Sequence, residues 1–256
     1  MKQFNLFCRL MLMFAICSIS FPAFSQGVAI YKKDGTMVKY SYAEVDSIVT
    51  FNYGEEPEVT PDVPQYQAID LGLPSGIEWA SFNVGATKPE EYGGYYAWGE
   101  TEEKKKYSWA TYKWCNGDEH SMTKYCTNSS YGVVDNKEIL EPEDDVAHVK
   151  WGGDWRMPTR AEQDELRNNC TWEWTALNGV NGYRVTGPNG NSIFLPAVGY
   201  RDGTNIDYAG SIAYYWSSSL NSDRDFSACN LYFKEGYFDW YYYSRYYGRS
   251  VRPVTE

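Results

Sequence analysis

The chain has 256 residues and a formal net charge of −11, and it is rich in tyrosine and tryptophan, with 24 and 10 copies. An acidic chain is repelled by nucleic-acid phosphates and by anionic membranes. Its one basic run, Lys104–Lys106, follows Glu100, Glu102 and Glu103 and reads as a solvated turn, so neither nucleic acid nor direct membrane insertion is expected.

Residues 1–26 read as a secretory signal peptide. Lys2 and Arg9 precede an apolar run that ends at Phe24, and Ala23-Phe24-Ser25 supplies a small-residue cleavage site. The run is too short for a spanning helix, and Ile16 before Cys17 does not fit a lipidation signal. An exported address follows: periplasm, outer surface or medium. Residues 27–53 form a small unit of their own. Val28–Lys32 and Met37–Tyr40 flank Lys33-Asp34-Gly35-Thr36, a hairpin with an Asp-Gly turn, and a short helical turn over 42–46 and a strand over 47–51 follow. Two dozen residues cannot bury a core alone. The linker, 54–65, carries Pro57, Pro61 and Pro64 among four acids, which keeps it extended.

Residues 66–256 read as one irregular α+β domain of short strands, many turns and one or two helices. Tyr183–Leu195 shows the strand–turn–strand rhythm. Pro158-Thr159-Arg160-Ala161-Glu162 is a capping box. Leu166 and Cys170 share a face of the helix that follows, and Gln163 thins its apolar stripe, so a half-exposed helix is expected. A second short helix is expected to start at Pro142, with Glu143, Asp144 and Asp145 at its N-terminus. Those acids, with Glu141, have the chemistry of calcium ligands, but their spacing fits no EF-hand and a solvated helix start explains them more simply. No metal or other cofactor is expected. Trp151-Gly152-Gly153-Asp154-Trp155-Arg156 is read as structural: a tight turn, two anchoring rings and an ion-paired arginine.

Cys115, Cys126, Cys170 and Cys229 remain after the signal peptide. Export permits disulfides, and Cys115–Cys126 is the expected pair because a short polar loop joins them. Closing it would stabilise by about 3 kcal/mol in the chain-entropy model. Cys229 alternates with Leu231 and Phe233 and is expected buried. No Cys-x-x-Cys occurs and His120 and His148 have no identifiable partner, so neither a zinc site nor catalysis is expected.

The C-terminal stretch carries the functional signal. Six of residues 237–247 are tyrosine, with Trp240, Asp239, Ser244 and Arg245 among them. Tyrosine offers a large rigid contact with a polar tip at little entropic cost, and such mixtures make recognition surfaces. If the segment is a strand, its faces alternate. Asp239 marks the wet side with Tyr237, Tyr241 and Tyr243, and Phe238, Trp240 and Tyr242 form the buried set. The expected ligand contacts are Tyr237, Tyr241, Tyr243, Arg245, Tyr246 and Tyr247, aided by Asn221, Asp223, Arg224 and Asp225 of the neighbouring loop.

Asp70–Ala80 with Asn83–Ala86, Tyr96–Glu100, Trp151–Thr159, Leu195–Tyr200, Tyr215–Ser219 and Gly248–Val254 together resemble the Fibrobacter succinogenes major paralogous domain family, in order and spacing along nearly the whole domain. The hairpin unit is similar to the leader element of many exported proteins of Bacteroidetes-type bacteria. The domain resemblance implies a C-type-lectin-like fold, of the broad class that includes formylglycine-generating enzymes, with its ends close together and a recognition face near its C-terminal strands. Those enzymes use a late pair of reactive cysteines, whereas only Cys229 is late here, so oxidase activity is not expected. Some proteins of this fold have a C-terminal region rewritten at adenines by diversity-generating retroelements. Asn221–Asp225 and Tyr237–Tyr247 have that look between fixed-looking frames. A diversified surface, a fixed aromatic binding surface and plain structural aromatics all stay open. The chain is expected to be an exported, non-enzymatic binding protein for carbohydrate or for a surface protein of a host or microbe. The alternatives are a structural or adhesin subunit of a surface assembly and, third, a lectin-fold enzyme.

Overall fold

A computed structural model describes the backbone of residues 27–31 and 37–41 and the whole of 66–256. The expected signal peptide, Asp-Gly turn, helical turn and strand over 42–51, and linker lie outside the described residues. In the first unit, β1 (Gly27–Tyr31) and β2 (Met37–Ser41) pair antiparallel, Gly27 opposite Ser41 and Tyr31 opposite Met37.

The second unit is built of small antiparallel sheets with few helices, an α+β-like arrangement in which strand outweighs helix. Its first strands, β3 (Ala68–Asp70) and β4 (Glu78–Ala80), are short because Pro74 and two glycines break the run between them. A long irregular stretch follows, with 3-10 turns at Trp109–Thr111 and Pro142–Asp144. Two helices come next, α1 (Val146–Trp151) and α2 (Arg160–Asn169). The meander β5 (Thr171–Leu177), β6 (Val180–Thr186) and β7 (Ser192–Pro196) leads into a hairpin, β8 (Tyr200–Asp202) and β9 (Asn205–Asp207). The second meander is β10 (Ile212–Leu220), β11 (Ser227–Lys234) and β12 (Tyr237–Ser244). The last strand, β13 (Val254–Thr255), returns to β4, so the sheet order β13-β4-β3 joins the two ends of the domain.

Helix α2 positions the second meander. Thr159 Oγ1 accepts the Glu162 N–H at 3.3 Å, and the Glu162 carboxylate accepts the Thr159 N–H at 2.7 Å. Arg156 grips the same carboxylate with two N–H groups, at 2.8 and 2.7 Å. The capping box and the structural arginine thus meet on one glutamate. Gln163, expected to break the apolar stripe, is itself buried. Its side-chain amide donates to the carbonyls of Tyr215 and Trp216, both at 3.2 Å, beside an irregularity in the β10–β11 register between Trp216 and Leu220. A buried polar side chain is stable when it meets backbone groups that the ladder leaves free. The second helix starts later than expected: Asp145 caps α1 by accepting the N–H groups of Ala147 and His148, and residues 142–144 form the 3-10 turn.

One apolar cluster, including Trp79, Val185, Leu195, Tyr215, Leu231 and Phe233, lies between the meanders. A second gathers Trp98, Tyr125, Met157, Trp216 and Val251. Buried Arg252 ties the loop backbone to them, donating to the Asn83 side chain at 2.8 Å and to the carbonyls of Ala80, Ser81 and Phe194 at 3.0, 3.2 and 2.8 Å.

The expected Cys115–Cys126 disulfide does not form, and both are free thiols. Cys126 Sγ points to Asp225 (3.3 Å) and the Asn128 carbonyl (3.2 Å), whereas Cys115 Sγ points to the Trp109 carbonyl (3.3 Å). The loop between them is closed instead by a backbone bridge, Cys115 to Met122, and by the Thr123 N–H to Trp114 carbonyl bond at 3.0 Å. Burial pushes the Cys126 thiol up to about 11, and the Asp225 carboxylate adds to it.

Candidate functional site: a tyrosine face on the second meander

The register of β10, β11 and β12 sorts their side chains onto two faces. Tyr215 lies opposite Leu231 and Leu231 opposite Trp240; Ala213, Phe233 and Phe238 align likewise. This inner face meets α2 and the first meander. Phe238 stacks on Trp172 at 4.6 Å between ring centres, and Trp240 lies under the Arg160 guanidinium at 3.6 Å. Two of the three residues expected to be buried, Phe238 and Trp240, are half-buried here. Tyr242, the third, is 41% exposed, because α2 ends its cover of β12 before reaching it.

The outer face holds Tyr232 from β11 and Tyr237, Asp239, Tyr241 and Tyr243 from β12, and on the same side Tyr214 and Trp216 from β10 are buried, Trp216 in the second apolar cluster. The rings form a connected lattice. Tyr232 lies 5.0 Å from Tyr214, 5.9 Å from Tyr237 and 5.5 Å from Tyr241, and Tyr243 lies 5.3 Å from Tyr214. These are attractive edge-to-face and tilted separations. Tyr247 extends the lattice to Tyr200 at 5.5 Å, and Tyr246 meets Tyr247 at 4.3 Å. Tyr237 and Tyr241 are exposed, while Tyr243, Tyr246 and Tyr247 are half-buried. Burial, with Tyr247 beside it, raises the Tyr246 phenol well above its ordinary range. Beyond β12 the sheet has no further strand among the described residues. A groove of about 510 Å³ runs along this edge, with Arg167 and Asp239 paired in its wall.

Of the loop residues expected to touch ligand, Asp223 and Arg224 are exposed. Asp225, Asn221 and Arg245 are buried and are corrected to structural roles. Asp225 accepts the N–H groups of Thr127 and Asn128 at 2.7 and 2.8 Å, and the Thr127 hydroxyl at 2.9 Å. Asn221 bonds the Ser227 hydroxyl at 3.1 Å and accepts the Asp223 N–H at 3.3 Å. Arg245 donates to the carbonyls of Lys124 (3.2 Å) and Tyr125 (3.0 Å) and contacts Met122 Sδ. All three serve irregular backbone whose polar groups have no ladder to join.

Sequence reasoning missed Tyr200, Tyr214, Tyr232 and Arg249. The signal for Tyr214 and Tyr232 was present as alternation in 212–220 and 227–234. Arg249 was hidden in a frame that reads as purely structural. Its guanidinium carbon lies 4.3, 4.4 and 4.5 Å from the ring centres of Tyr214, Trp216 and Tyr243.

The acids weighed as calcium ligands are met by cations and backbone instead. Lys124 Nζ reaches Glu141 at 2.5 Å and Asp144 at 2.6 Å, and Lys137 reaches Glu141 at 2.5 Å. These lysines hold the Glu141 carboxyl down to about 2. Among the described residues no three His, Cys, Asp or Glu side chains are grouped to hold a metal ion. Cys229 is buried, which raises its thiol above the ordinary range; a thiol so placed is a poor nucleophile. In comparisons with protein-family models, curated proteins and solved structures, the chain matches none.

Proposed function

We propose that the chain is an exported, non-enzymatic binding protein whose ligand lies on the outer face of β10–β12. The observation that carries this reading is the tyrosine lattice itself. Strand aromatics usually turn inward to a core, yet Tyr237 and Tyr241 are 40% and 42% exposed on a sheet whose other face already has its cover. Contiguous exposed rings with hydroxyl tips are the composition of a recognition surface. Carbohydrate or the surface protein of a host or microbe is the ligand class. A C-type-lectin-like fold agrees with the sheet that joins the domain's two ends. Rewriting of the exposed tyrosines by a retroelement agrees with their position, since Tyr241 and Tyr237 lie outside both apolar clusters.

The test is binding of the full chain to immobilised glycans and surface proteins, beside a Tyr241→Ala/Tyr243→Ala variant. A loss of about tenfold or more is expected with an unchanged circular-dichroism spectrum, the scale of one or two aromatic contacts. Unchanged binding in the folded variant contradicts the reading. A structural subunit of an assembly is favoured by one observation, the unpaired outer edge of β12, where a neighbour's strand would dock. Deleting residues 27–64 separates the two: a display module keeps its ligand, and an assembly subunit loses incorporation.

A further inference from the structure

Three arginines of the C-terminal segment are fully buried, and they are not alike. Arg245 and Arg252 bond neighbouring carbonyls, as described above, although Arg245 Nε has no acceptor. Arg249 bonds none. Its Nε and Nη1 are sealed from solvent with no hydrogen-bond acceptor, and no side-chain hydrogen bond of Nη2 occurs among the described residues. No carboxylate among the described residues forms an ion pair with it. Its neighbours are the rings of Tyr214, Trp216, Tyr243 and, at 5.7 Å, Tyr247.

Aromatic faces attract a guanidinium, but they do not take up its N–H donors. A buried cation without a hydrogen-bonded counter-charge is costly, and the cost persists until an anion arrives. Burial pushes the Arg249 guanidinium down to about 9, which still leaves it charged at neutral pH. This unpaired donor lies beneath the tyrosine lattice, under the edge-to-face contact of Tyr243 and Tyr247, whose ring centres are 6.4 Å apart.

Resting on the reading of this face as the ligand surface, we propose that Arg249 is the counter-charge for a ligand carboxylate and that the face takes an acidic sugar. The carboxylate would reach the guanidinium by parting Tyr243 and Tyr247, while the pyranose ring lies on the tyrosines. A sugar fits better than an acidic peptide because the outer face offers flat rings with hydroxyl tips, on which a pyranose can lie and to which its hydroxyls can bond. The chain's net charge of −11 argues further for one carboxylate over a polyanion, since a single charge is repelled less at long range and is rewarded only on contact.

The experiment is calorimetric titration of the full chain with glucuronate and N-acetylneuraminate, each against its methyl ester, with an Asp/Glu-rich peptide as a further probe. At least one acid is expected to bind about tenfold or more tightly than its ester, and Arg249→Met is expected to erase that preference. Arg249→Lys keeps the charge and is expected to retain part of the preference. Should Arg249→Met fail to fold, the acid-to-ester ratio on the unmodified chain still decides the matter. Equal affinity for acid and ester overturns the proposal and leaves the aromatic-platform reading standing. Tighter binding of the peptide than of any sugar also overturns it, as does an Arg249→Met variant that folds and keeps the preference. The platform reading fails separately, if Tyr241→Ala/Tyr243→Ala leaves acid and ester binding both unchanged.

Discussion

The strand 237–244 and the loop 221–225 look alike in sequence, both dense in polar and hydrogen-bonding side chains beside a fixed-looking frame. The structure uses them in opposite ways. The strand pairs with β11 in register along all eight positions, from Ser244 opposite Ser227 to Tyr237 opposite Lys234, so its side chains are not drawn in to serve that ladder, and Tyr237 and Tyr241 face outward. The loop has no ladder, and Asn221 and Asp225 at its two ends turn inward while Asp223 and Arg224 stay exposed. Asp225 serves the backbone of 127–128, and Asn221 holds the turn into β11. In a domain this irregular, a buried polar side chain serves backbone groups that have no ladder to join.

That contrast predicts a graded set of responses. The largest is to high pH, which attacks the inward use of polar groups. Tyr95 donates its phenol to the Val198 carbonyl at 2.6 Å, Tyr112 to Trp98 at 2.7 Å, and Tyr215 to Pro196 at 2.8 Å. Tyr107 donates to the Tyr95 carbonyl. A phenolate cannot donate, and burial pushes Tyr95 and Tyr107 up to about 12 from the ordinary value of 10.0. A folded-state pKa above the unfolded one means that the stabilisation is complete below pH 10 and is lost as pH rises towards 12. Cooperative unfolding in that window is expected, with tyrosinate absorbance rising in step with loss of the near-ultraviolet circular-dichroism signal. Tyrosinate that forms over this range without any loss of structure breaks the comparison.

Next is Asp225→Ala, expected to cost about 3–5 kcal/mol in urea unfolding because it strands buried N–H groups. Asp223→Ala, two residues away and exposed, is expected to cost less than about 0.5 kcal/mol. Within the strand itself, Phe238→Ala removes a ring that packs against Trp172 and Tyr183. The cost is expected to be about 2–4 kcal/mol. Tyr241→Ala on the other face is expected to cost about 1 kcal/mol or less, read from the same unfolding curves. Similar losses at 238 and 241 would mean that the outer rings are part of the core.

Local signals were legible in the sequence where chemistry and spacing act over a few residues. Thr159 and Glu162 fix the start of α2, and the period-two alternation of 237–241 sorts its faces. What was not legible depends on partners far along the chain. Gln163 breaks a helical stripe in one dimension, but in three it meets the carbonyls of Tyr215 and Trp216. Cys115 and Cys126 satisfy every requirement of a short-loop disulfide except that the fold turns Cys126 to Asp225. Arg245 and Arg249 sit in one tyrosine-rich frame. Only the folded arrangement shows that one bonds carbonyls and the other meets rings alone.

The measurement that tests the central claim most directly sets the strand against the loop. Ligand binding is compared among the unmodified chain, Tyr241→Ala/Tyr243→Ala and Asp223→Ala/Arg224→Ala, all three shown to be folded. A loss of about tenfold or more is expected in the tyrosine variant, with a change of less than about twofold in the loop variant. Full binding by the tyrosine variant, or a greater loss in the loop variant, would contradict the assignment of recognition to the outer face of β10–β12.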